Sequence, residues 1–360
     1  MNANCEGAQR LELTFCVPVS DALRRLSSAF PLATALHSMA LFPAGARVVL
    51  TGAAGRHGRL LLSLLQAEYP SLDLVATDLV PWPDCPVPFV QADLMDAGAV
   101  QSVLQGAAGV LHLGAVPGPS STPPPGVDPS WSTKTGISLE KLSPGQVLTN
   151  NVASAWNVFE GSARAGVKRL VFSSTLFTMG FTHDPRTYRP TGFPVSEASR
   201  ATPGESYGLS KLVGEEMAAC VARASAATSR PMSVASLRFT NLVYPENEDK
   251  LPWAAPTAEQ PSNVLMWHYT KAHDVARAHI LALQTPCLGP DPHHEAFLLA
   301  APTTRFTVPT QQLLQTLYPG VPLRPGWDVA GNAGLLDASK ARLHLGWRPQ
   351  TADALKAGMR

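Results

Sequence analysis

The stretch RVVLTGAAGRHGRLLLSLLQAEY, residues 47–69, decides the fold of this chain. It opens on a short β-branched, apolar run, which is typical of a buried strand, and it closes on an apolar run with helical character. Between the two runs, three glycines stand at a G-x-x-G-x-x-G spacing, which lets the backbone turn tightly and lets helix amides approach a phosphate group. The stretch therefore predicts a phosphate-binding turn made by Gly52, Gly55, Arg56, His57 and Gly58.

The alternation of strands and helices continues along the chain. Short apolar strands are predicted at 72–78, 87–93, 110–115 and 168–175, and helices at 96–105 and 151–166. Such alternation predicts an α/β fold, a Rossmann-type doubly wound parallel sheet with a smaller C-terminal substrate-binding lobe. The predicted division is an N-terminal extension without an assigned role at 1–44, an NAD-binding domain at 45–240 with a loop insertion at 117–145, and the lobe at 241–360.

Residues at the ends of the next strands extend the prediction of a dinucleotide site. Asp78 ends the second strand 20 residues after Gly58, where a carboxylate accepts both ribose hydroxyls of adenosine and repels a 2′-phosphate. NAD is therefore the predicted cofactor, but Arg56 could reach a 2′-phosphate, so tolerance of NADP stays open. The third and fourth strand ends supply the further candidate cofactor ligands Asp93, Leu94, Leu113, Gly114 and Ala115.

The sequence YGLSK places Tyr207 and Lys211 four residues apart, on one face of a predicted helix. A hydroxyl that loses a hydride must also lose a proton, and a phenol accepts that proton at neutral pH only if its pKa falls well below about 10. An ammonium ~4 Å away at an effective dielectric constant of ~20 supplies about 4 kcal/mol toward that shift. Ser174 and Thr175 end the fifth strand at the sheet edge where ligands bind, so they are predicted to hold the substrate beside this pair.

Composition restricts the class of partner. The chain has 360 residues and a net charge of +1, so nucleic acid and anionic membranes are not predicted partners. No apolar run reaches the ~18–20 residues that cross a bilayer. The five cysteines form no CxxC or Cys/His cluster, so the sequence predicts no metal site. The same pattern favours a reducing compartment, and a cytoplasmic location is predicted. A small-molecule substrate remains the expectation.

The chain resembles the extended short-chain dehydrogenase/reductases, and specifically the NAD-dependent epimerase/dehydratase family. The matching segments span about residues 47–350. They are TGAAGRHG (51–58), Asp78, Asp93-Leu94, HLGA (112–115), NVASAWNVFEGSARAGVKRLVFSST (151–175), YGLSKLVGEE (207–216), LRFTN (237–241), HDVARA (273–278) and DASKARLHLGWRP (337–349).

The resemblance implies a role for each matching position. Thr175 would orient the substrate hydroxyl, Tyr207 would act as acid and base, and Lys211 would activate the tyrosine and bind ribose. Asn151 would support the active-site water and the lysine. The resemblance also implies substrate ligands at Arg238 and Asn241, and a homodimer formed through the helix at 205–228.

Two departures from the family pattern leave the substrate open. The strand after Arg238 usually leads into a Gly-Pro turn, but this chain has NLVYPENEDK (241–250), and the insertion at 117–145 is longer than usual. The expected function is that of an NAD-dependent oxidoreductase or epimerase acting on a sugar or sugar-derivative hydroxyl, as in nucleotide-sugar epimerases and dehydratases. The alternative is a uronate-type sugar-acid dehydrogenase that releases NADH. A third hypothesis is a non-catalytic dinucleotide-sensing protein.

Overall fold

The computed structural model describes residues 42–118, 142–180, 189–239, 241–252, 254–260, 262–285 and 293–350. Residues 1–41 of the predicted extension and most of the predicted insertion at 117–145 therefore lie outside the described residues.

The strands are short, and most of their residues are apolar and buried. They are β1 (Arg47–Thr51), β2 (Asp73–Asp78), β3 (Phe89–Gln91), β4 (Ala107–His112), β5 (Arg169–Ser173), β6 (Ser233–Phe239), β7 (Leu242–Val243), β8 (Thr270–Lys271) and β9 (His294–Leu299). The helices are α1 (Arg56–Glu68), α2 (Ala97–Val103), α3 (Pro144–Ala165), α4 (Ser206–Ala226), α5 (Ala272–Gln284), α6 (Thr310–Leu317) and α7 (Ser339–Leu345). Short 3₁₀ helices span Leu176–Met179, Pro245–Lys250 and Val264–Trp267.

The main sheet has the strand order β3-β2-β1-β4-β5-β6-β9, and every neighbouring pair is parallel. The chain leaves β1 toward β2 and β3 on one side and returns to build β4 and its neighbours on the other. The strand order therefore reverses between β1 and β4, and in such sheets ligands bind outside the carboxyl ends of the strands at that point. The predicted fold class is confirmed.

Two apolar layers cover the sheet. On one face, α1 and α5 contribute residues such as Leu61, Leu65 and Ile280. On the other face, α2, α3 and α4 contribute residues such as Phe159 and Ala218. Because helices cover both faces, the buried strands leave the carboxyl edge as the place where polar groups can collect.

The segment after residue 240 contributes to the main sheet and to a separate apolar cluster. Its strand β9 pairs with β6 and completes the main sheet. A separate apolar cluster includes Trp267, Phe306 and Leu335. The predicted division of the chain at residue 240 stays a prediction.

Helix α3 begins earlier than the sequence analysis predicts. It starts at Pro144 instead of 151, because Ser143 and Gln146 form a capping box and proline is well tolerated in a first helical turn. The helix ends as predicted at Gly166, whose φ of 76° is the left-handed conformation that glycine adopts easily. Among the described residues, no helix is long and apolar enough to cross a bilayer.

Candidate active site

In the glycine turn after β1, backbone contacts leave no room for a Cβ atom at Gly52 or Gly58. Gly52 has a φ of +69°, and a Cβ there would lie 2.6 Å from the backbone nitrogen of Gly114. A Cβ at Gly58 would overlap the carbonyl oxygen of Gly52 and the backbone of Ala53. Helix α1 starts directly after Gly55, which offers no capping side chain. The first amides of α1 therefore remain available to an anion.

Asp78 lies beside this turn, at the carboxyl end of β2. Its Oδ2 accepts a hydrogen bond from the amide of Ala54 at 2.9 Å, and its Oδ1 accepts one from the amide of Val80 at 3.0 Å. The carboxylate thus fixes the turn to the end of β2. Each carboxylate oxygen has a second lone pair, so the group can still accept ribose hydroxyls.

The other predicted cofactor ligands lie along the same edge. Asp93 accepts a hydrogen bond from the amide of Met95 at 2.9 Å. The side chain of Leu94 lies against Gly114, where a Cβ would be 2.6 Å from its Cδ1. The amides of Leu113 and Gly114 bond to Thr51, so this backbone follows the end of β1, and Ala115 comes next.

The side chains of Arg56 and His57 contact other protein groups. The Arg56 guanidinium lies over the ring of Tyr244, 3.6 Å from its centroid, and pairs with Glu246. Both partners come from the segment after β7. The ring nitrogens of His57 are buried without a hydrogen-bond partner, next to His279 and Phe239. This geometry does not support Arg56 as a ligand for a 2′-phosphate.

Tyr207 and Lys211 lie beside the carboxyl end of β5, as their predicted roles require. The hydroxyl of Thr175 is hydrogen-bonded to the Tyr207 phenol. The Lys211 Nζ lies 5.9 Å from the Tyr207 ring centroid and donates a hydrogen bond to the backbone oxygen of Ser173 at 2.8 Å. The structure therefore brings Thr175, Tyr207 and Lys211 together.

Burial controls the electrostatics of this pair. The pKa of Tyr207 is raised above its usual value, first by burial and then by the negative charge of Glu205, while the Thr175 bond acts in the opposite direction. Burial lowers the pKa of Lys211 to about 7, against the attraction of Glu215. The protein alone thus holds the phenol protonated, and a further positive charge is needed to make it a base at neutral pH.

Ser174 and Arg238 meet at Glu215, a residue of α4 one turn after Lys211. The Ser174 hydroxyl donates to Glu215 Oε1 at 2.5 Å, and Arg238 binds the same carboxylate through Nε and Nη2. The Arg238 Nη1 donates to the sulfur of Met179. Both predicted substrate ligands therefore use their polar atoms inside the protein, which supports a structural role for them.

The side chains of Asn151 and Asn241 also form hydrogen bonds to other groups of the protein. The Asn151 side chain accepts from the amide of Val116 at 2.8 Å and donates to its carbonyl oxygen and to Ser210 Oγ. It thus joins the end of β4 to α4 next to Lys211. Asn241 donates to the carbonyl oxygen of His268 at 3.1 Å. The roles that the resemblance implies for both residues stay predictions.

Three residues near this site were not predicted from the sequence: Glu205, Glu215 and Tyr244. Glu205 caps α4 through the amides of Tyr207 and Gly208, and Glu215 anchors Ser174 and Arg238. Both glutamates lie close in sequence to the YGLSK motif, and the four-residue step from Lys211 to Glu215 was a usable signal. The contact between Arg56 and Tyr244 had none, because the two residues are far apart in the chain.

The residues present fit a dinucleotide. The glycine turn is a cradle that any Cβ at Gly52 or Gly58 would fill, and it presents helix amides without a capping side chain. A carboxylate stands at the end of the next strand, where a ribose would lie. The turn, the carboxylate and the Tyr-Lys pair thus lie on an α/β fold whose ligands bind at the carboxyl edge of the sheet.

Comparisons with known proteins agree with this class. Residues 133–296 match the model of the NAD dependent epimerase/dehydratase family. A uronate dehydrogenase of Agrobacterium fabrum (strain C58 / ATCC 33970) is 34% identical over 172 residues, which cover 48% of this chain and 54% of that enzyme. A UDP-glucose 4-epimerase of Streptomyces lividans is 27% identical over 293 residues, 74% of this chain and 79% of that enzyme.

Among solved structures, a short-chain dehydrogenase/reductase superfamily protein from Agrobacterium tumefaciens with bound NAD superposes with a TM-score of 0.58. It is 21% identical, and the match covers 87% of this chain and 95% of that one, which shows a shared fold. The chain spans about half the length of the uronate dehydrogenases it matches. The middle of the chain, residues 133–296, is thus similar to the NAD dependent epimerase/dehydratase family, and the fold is shared with the short-chain dehydrogenase/reductase structure.

Proposed function

We propose that the protein is an NAD-dependent oxidoreductase that acts on a hydroxyl group of a sugar or sugar derivative. The observation that carries the proposal is the convergence of Thr175 and Lys211 on Tyr207, at the carboxyl edge of the sheet that also holds the glycine turn. In such sheets this edge is where a dinucleotide and its substrate bind. A packing role alone would not require a buried phenol beside a buried ammonium.

Each residue has a definite task in this proposal. Gly52, Gly55 and Gly58 hold the pyrophosphate on the amides of α1, and Asp78 accepts the ribose hydroxyls. NAD, when bound, supplies the hydride acceptor and a positive charge. The hydroxyl of Thr175 orients the substrate oxygen, and the phenolate of Tyr207 accepts its proton.

A magnitude argument explains why Lys211 alone is not sufficient. Moving a phenol from a pKa of about 10 to about 7 requires roughly 4 kcal/mol of preference for the phenolate. With the ring centroid taken as the position of the phenolate charge, an ammonium about 6 Å away at an effective dielectric constant of about 20 contributes roughly 3 kcal/mol. Burial of Tyr207 and the charge of Glu205 increase the deficit. The oxidised cofactor and Lys211 must therefore act together, and the base forms only when both are in place.

The substrate class we favour is a free sugar acid, as in the uronate dehydrogenases to which the chain is similar. A nucleotide sugar carries a diphosphate, which calls for a cluster of available cations. In the described part of the C-terminal region, several cations are paired with carboxylates instead. The pairs are Lys271 with Glu248, Arg324 with Asp337, and Lys340 with Glu295. A uronate needs fewer positive charges than a diphosphate does.

A second candidate is an epimerase that oxidises a nucleotide sugar and returns the hydride to the other face. It is supported by the UDP-glucose 4-epimerases, whose similarity extends over 61–74% of this chain. The two candidates share the residues named above and differ in the substrate pocket and in how firmly the cofactor is held.

A substrate panel tests the proposal. Purified protein is incubated with NAD and free uronates, aldoses or UDP-sugars, while NADH absorbance is recorded and the sugars are separated by chromatography. Accumulation of NADH with a uronate supports the dehydrogenase, and conversion of a UDP-sugar without net NADH supports the epimerase. Tyr207→Phe should reduce turnover by about 10²-fold or more. Tyr69→Phe is the matched control, because its hydroxyl bonds to Gln284 outside the site.

Full turnover in Tyr207→Phe would overturn the catalytic assignment of Tyr207, and NAD binding without turnover of any sugar in the panel would favour the dinucleotide-sensing hypothesis. The homodimer and the cytoplasmic location stay predictions, which the elution volume of the purified protein and the location of a tagged chain in cells would test.

A further inference from the structure

The first residue of α1 connects the glycine turn to a distant segment of the chain. The Arg56 guanidinium carbon lies 3.6 Å from the centroid of the Tyr244 ring, and its Nη2 forms an ion pair with Glu246 Oε1. We name the contact of Arg56 with Tyr244 and Glu246 the Arg56 clasp.

The clasp joins two segments that follow strands of the main sheet and its small neighbour. Arg56 follows β1, and Tyr244 follows β6 and β7, while β4 and β5 lie between β1 and β6 in the sheet. The contact therefore joins segments that follow two strands separated by two others in the sheet. A dinucleotide bound at the glycine turn extends over the same strand ends to reach Tyr207.

Neighbouring contacts hold both ends of the clasp in place. The 3₁₀ helix Pro245–Lys250, which carries Glu246, is also tied to β8, because Lys271 Nζ lies 3.1 Å from Glu248 Oε2. On the turn side, the His57 ring packs 6.0 Å from the ring of Phe239 at the end of β6. Only the Arg56 contact itself is substantially exposed, with 41% of the Arg56 and 63% of the Glu246 side chain accessible.

From this geometry we propose that the Arg56 clasp closes over the bound dinucleotide and that its opening sets the rate of cofactor release. The proposal rests on the NAD-dependent activity proposed above and deepens it. An exposed ion pair contributes little stability and is screened by salt, so the clasp opens readily. Frequent opening suits a dehydrogenase, which must exchange NADH for NAD at every turnover, whereas an epimerase gains from keeping its cofactor.

Cofactor release can be measured without turnover. Full-length protein loaded with NADH is mixed with excess NAD, and the loss of NADH fluorescence gives the release rate. Glu246→Gln removes the ion pair and should accelerate release about two- to fivefold. Tyr244→Leu removes the ring under the guanidinium and should act in the same direction. Glu68→Gln is the matched control, because it breaks another exposed ion pair, with Arg277, at the opposite end of α1.

The dependence of the release rate on salt is a second measurement, and a purely structural role of the clasp would not change it. Release from the unchanged protein should accelerate as ionic strength rises, and release from Glu246→Gln should depend on salt much less. If Glu246→Gln and the unchanged protein release NADH equally fast at every ionic strength, the clasp is overturned while NAD binding stands. If the unchanged protein does not bind NADH, the proposed function and the clasp fall together.

Discussion

Glu215 and Arg238 form a buried bidentate ion pair that also binds Ser174, the neighbour in sequence of the candidate catalytic residue Thr175. The Arg238 Nη2 lies 2.5 Å from Glu215 Oε2, its Nε lies 2.9 Å from Oε1, and the two side chains are 9% and 4% exposed. Ser174 donates to the same carboxylate. The pair joins α4, which carries Tyr207 and Lys211, to the end of β6 and to the strand end that carries Thr175.

Removal of one partner of this pair should destabilise the protein strongly. Glu215→Gln leaves the Arg238 charge buried without its counter-ion, for which we expect a loss of about 3–5 kcal/mol in the free energy of unfolding. Urea denaturation followed by circular dichroism measures the loss. Glu160→Gln is the control, because it breaks the exposed pair with Arg164 and should cost at most about 0.5 kcal/mol. Equal losses in the two variants would contradict the assignment.

The residues near the two motifs were predictable from sequence, and the contacts between distant segments were not. The glycine spacing predicted the turn because backbone sterics at Gly52 and Gly58 depend mainly on local geometry. The four-residue step predicted that Tyr207 and Lys211 share a helix face. The partners of Arg238 and Arg56 depend on how the strands are ordered. A guanidinium in a sequence does not reveal whether it will meet a substrate or a buried carboxylate.

The tight turn leads to a prediction about Gly58. Gly58→Ala would push a methyl group into the carbonyl oxygen of Gly52 and the backbone of Ala53, so the turn must open. We expect a loss of about 1–3 kcal/mol in stability and a loss of NAD binding, measured by thermal unfolding with and without NAD. Gly145→Ala in the first turn of α3 is the control. Its new methyl would lie 3.9 Å from the nearest neighbour, the Ser143 hydroxyl, and should leave NAD binding unchanged.

Buried histidines predict how stability depends on pH. Burial lowers the pKa of each member of one group of histidines to between about 3 and about 4: His57, His112, His268 and His279. In the unfolded chain each takes up a proton as the pH falls below about 6.5, while the folded protein keeps the neutral imidazole. The unfolded state therefore binds more protons in this range, and the free energy of unfolding should fall as the pH is lowered from about 7 to about 5.

The slope of this dependence can be tested with one variant. Each such histidine adds up to about 1.4 kcal/mol per pH unit below about pH 6, and we choose His57 because its ring nitrogens have no hydrogen-bond partner. His57→Leu should reduce the difference in unfolding free energy between about pH 5 and about pH 7 by roughly one proton's share. Urea titrations at both pH values measure it. An unchanged difference would mean that His57 titrates with nearly the same pKa in the folded protein as in the unfolded chain.

Asp78 should decide between NAD and NADP. Its carboxylate stands at the end of β2 and is held by the amides of Ala54 and Val80, while Arg56 is directed away toward Tyr244. A 2′-phosphate would therefore meet a negative charge, and ribose hydroxyls would meet an acceptor. We expect Asp78→Asn to weaken NADH binding about tenfold or more, since a hydrogen bond to a charged group contributes about 1.5–3 kcal/mol. NADPH binding should strengthen, because the repulsion is removed.

The control for this change lies on the same strand. Asp73 begins β2 at the opposite edge of the sheet and pairs there with Arg47, so Asp73→Asn removes the same charge far from the glycine turn. Titration of each variant with NADH and NADPH gives the two dissociation constants and their ratio. The ratio should change in Asp78→Asn and stay constant in Asp73→Asn, because screening by salt weakens the effect of a charge at the far end of the strand. The same change in both variants would mean that net charge, and not the carboxylate beside the turn, sets the preference.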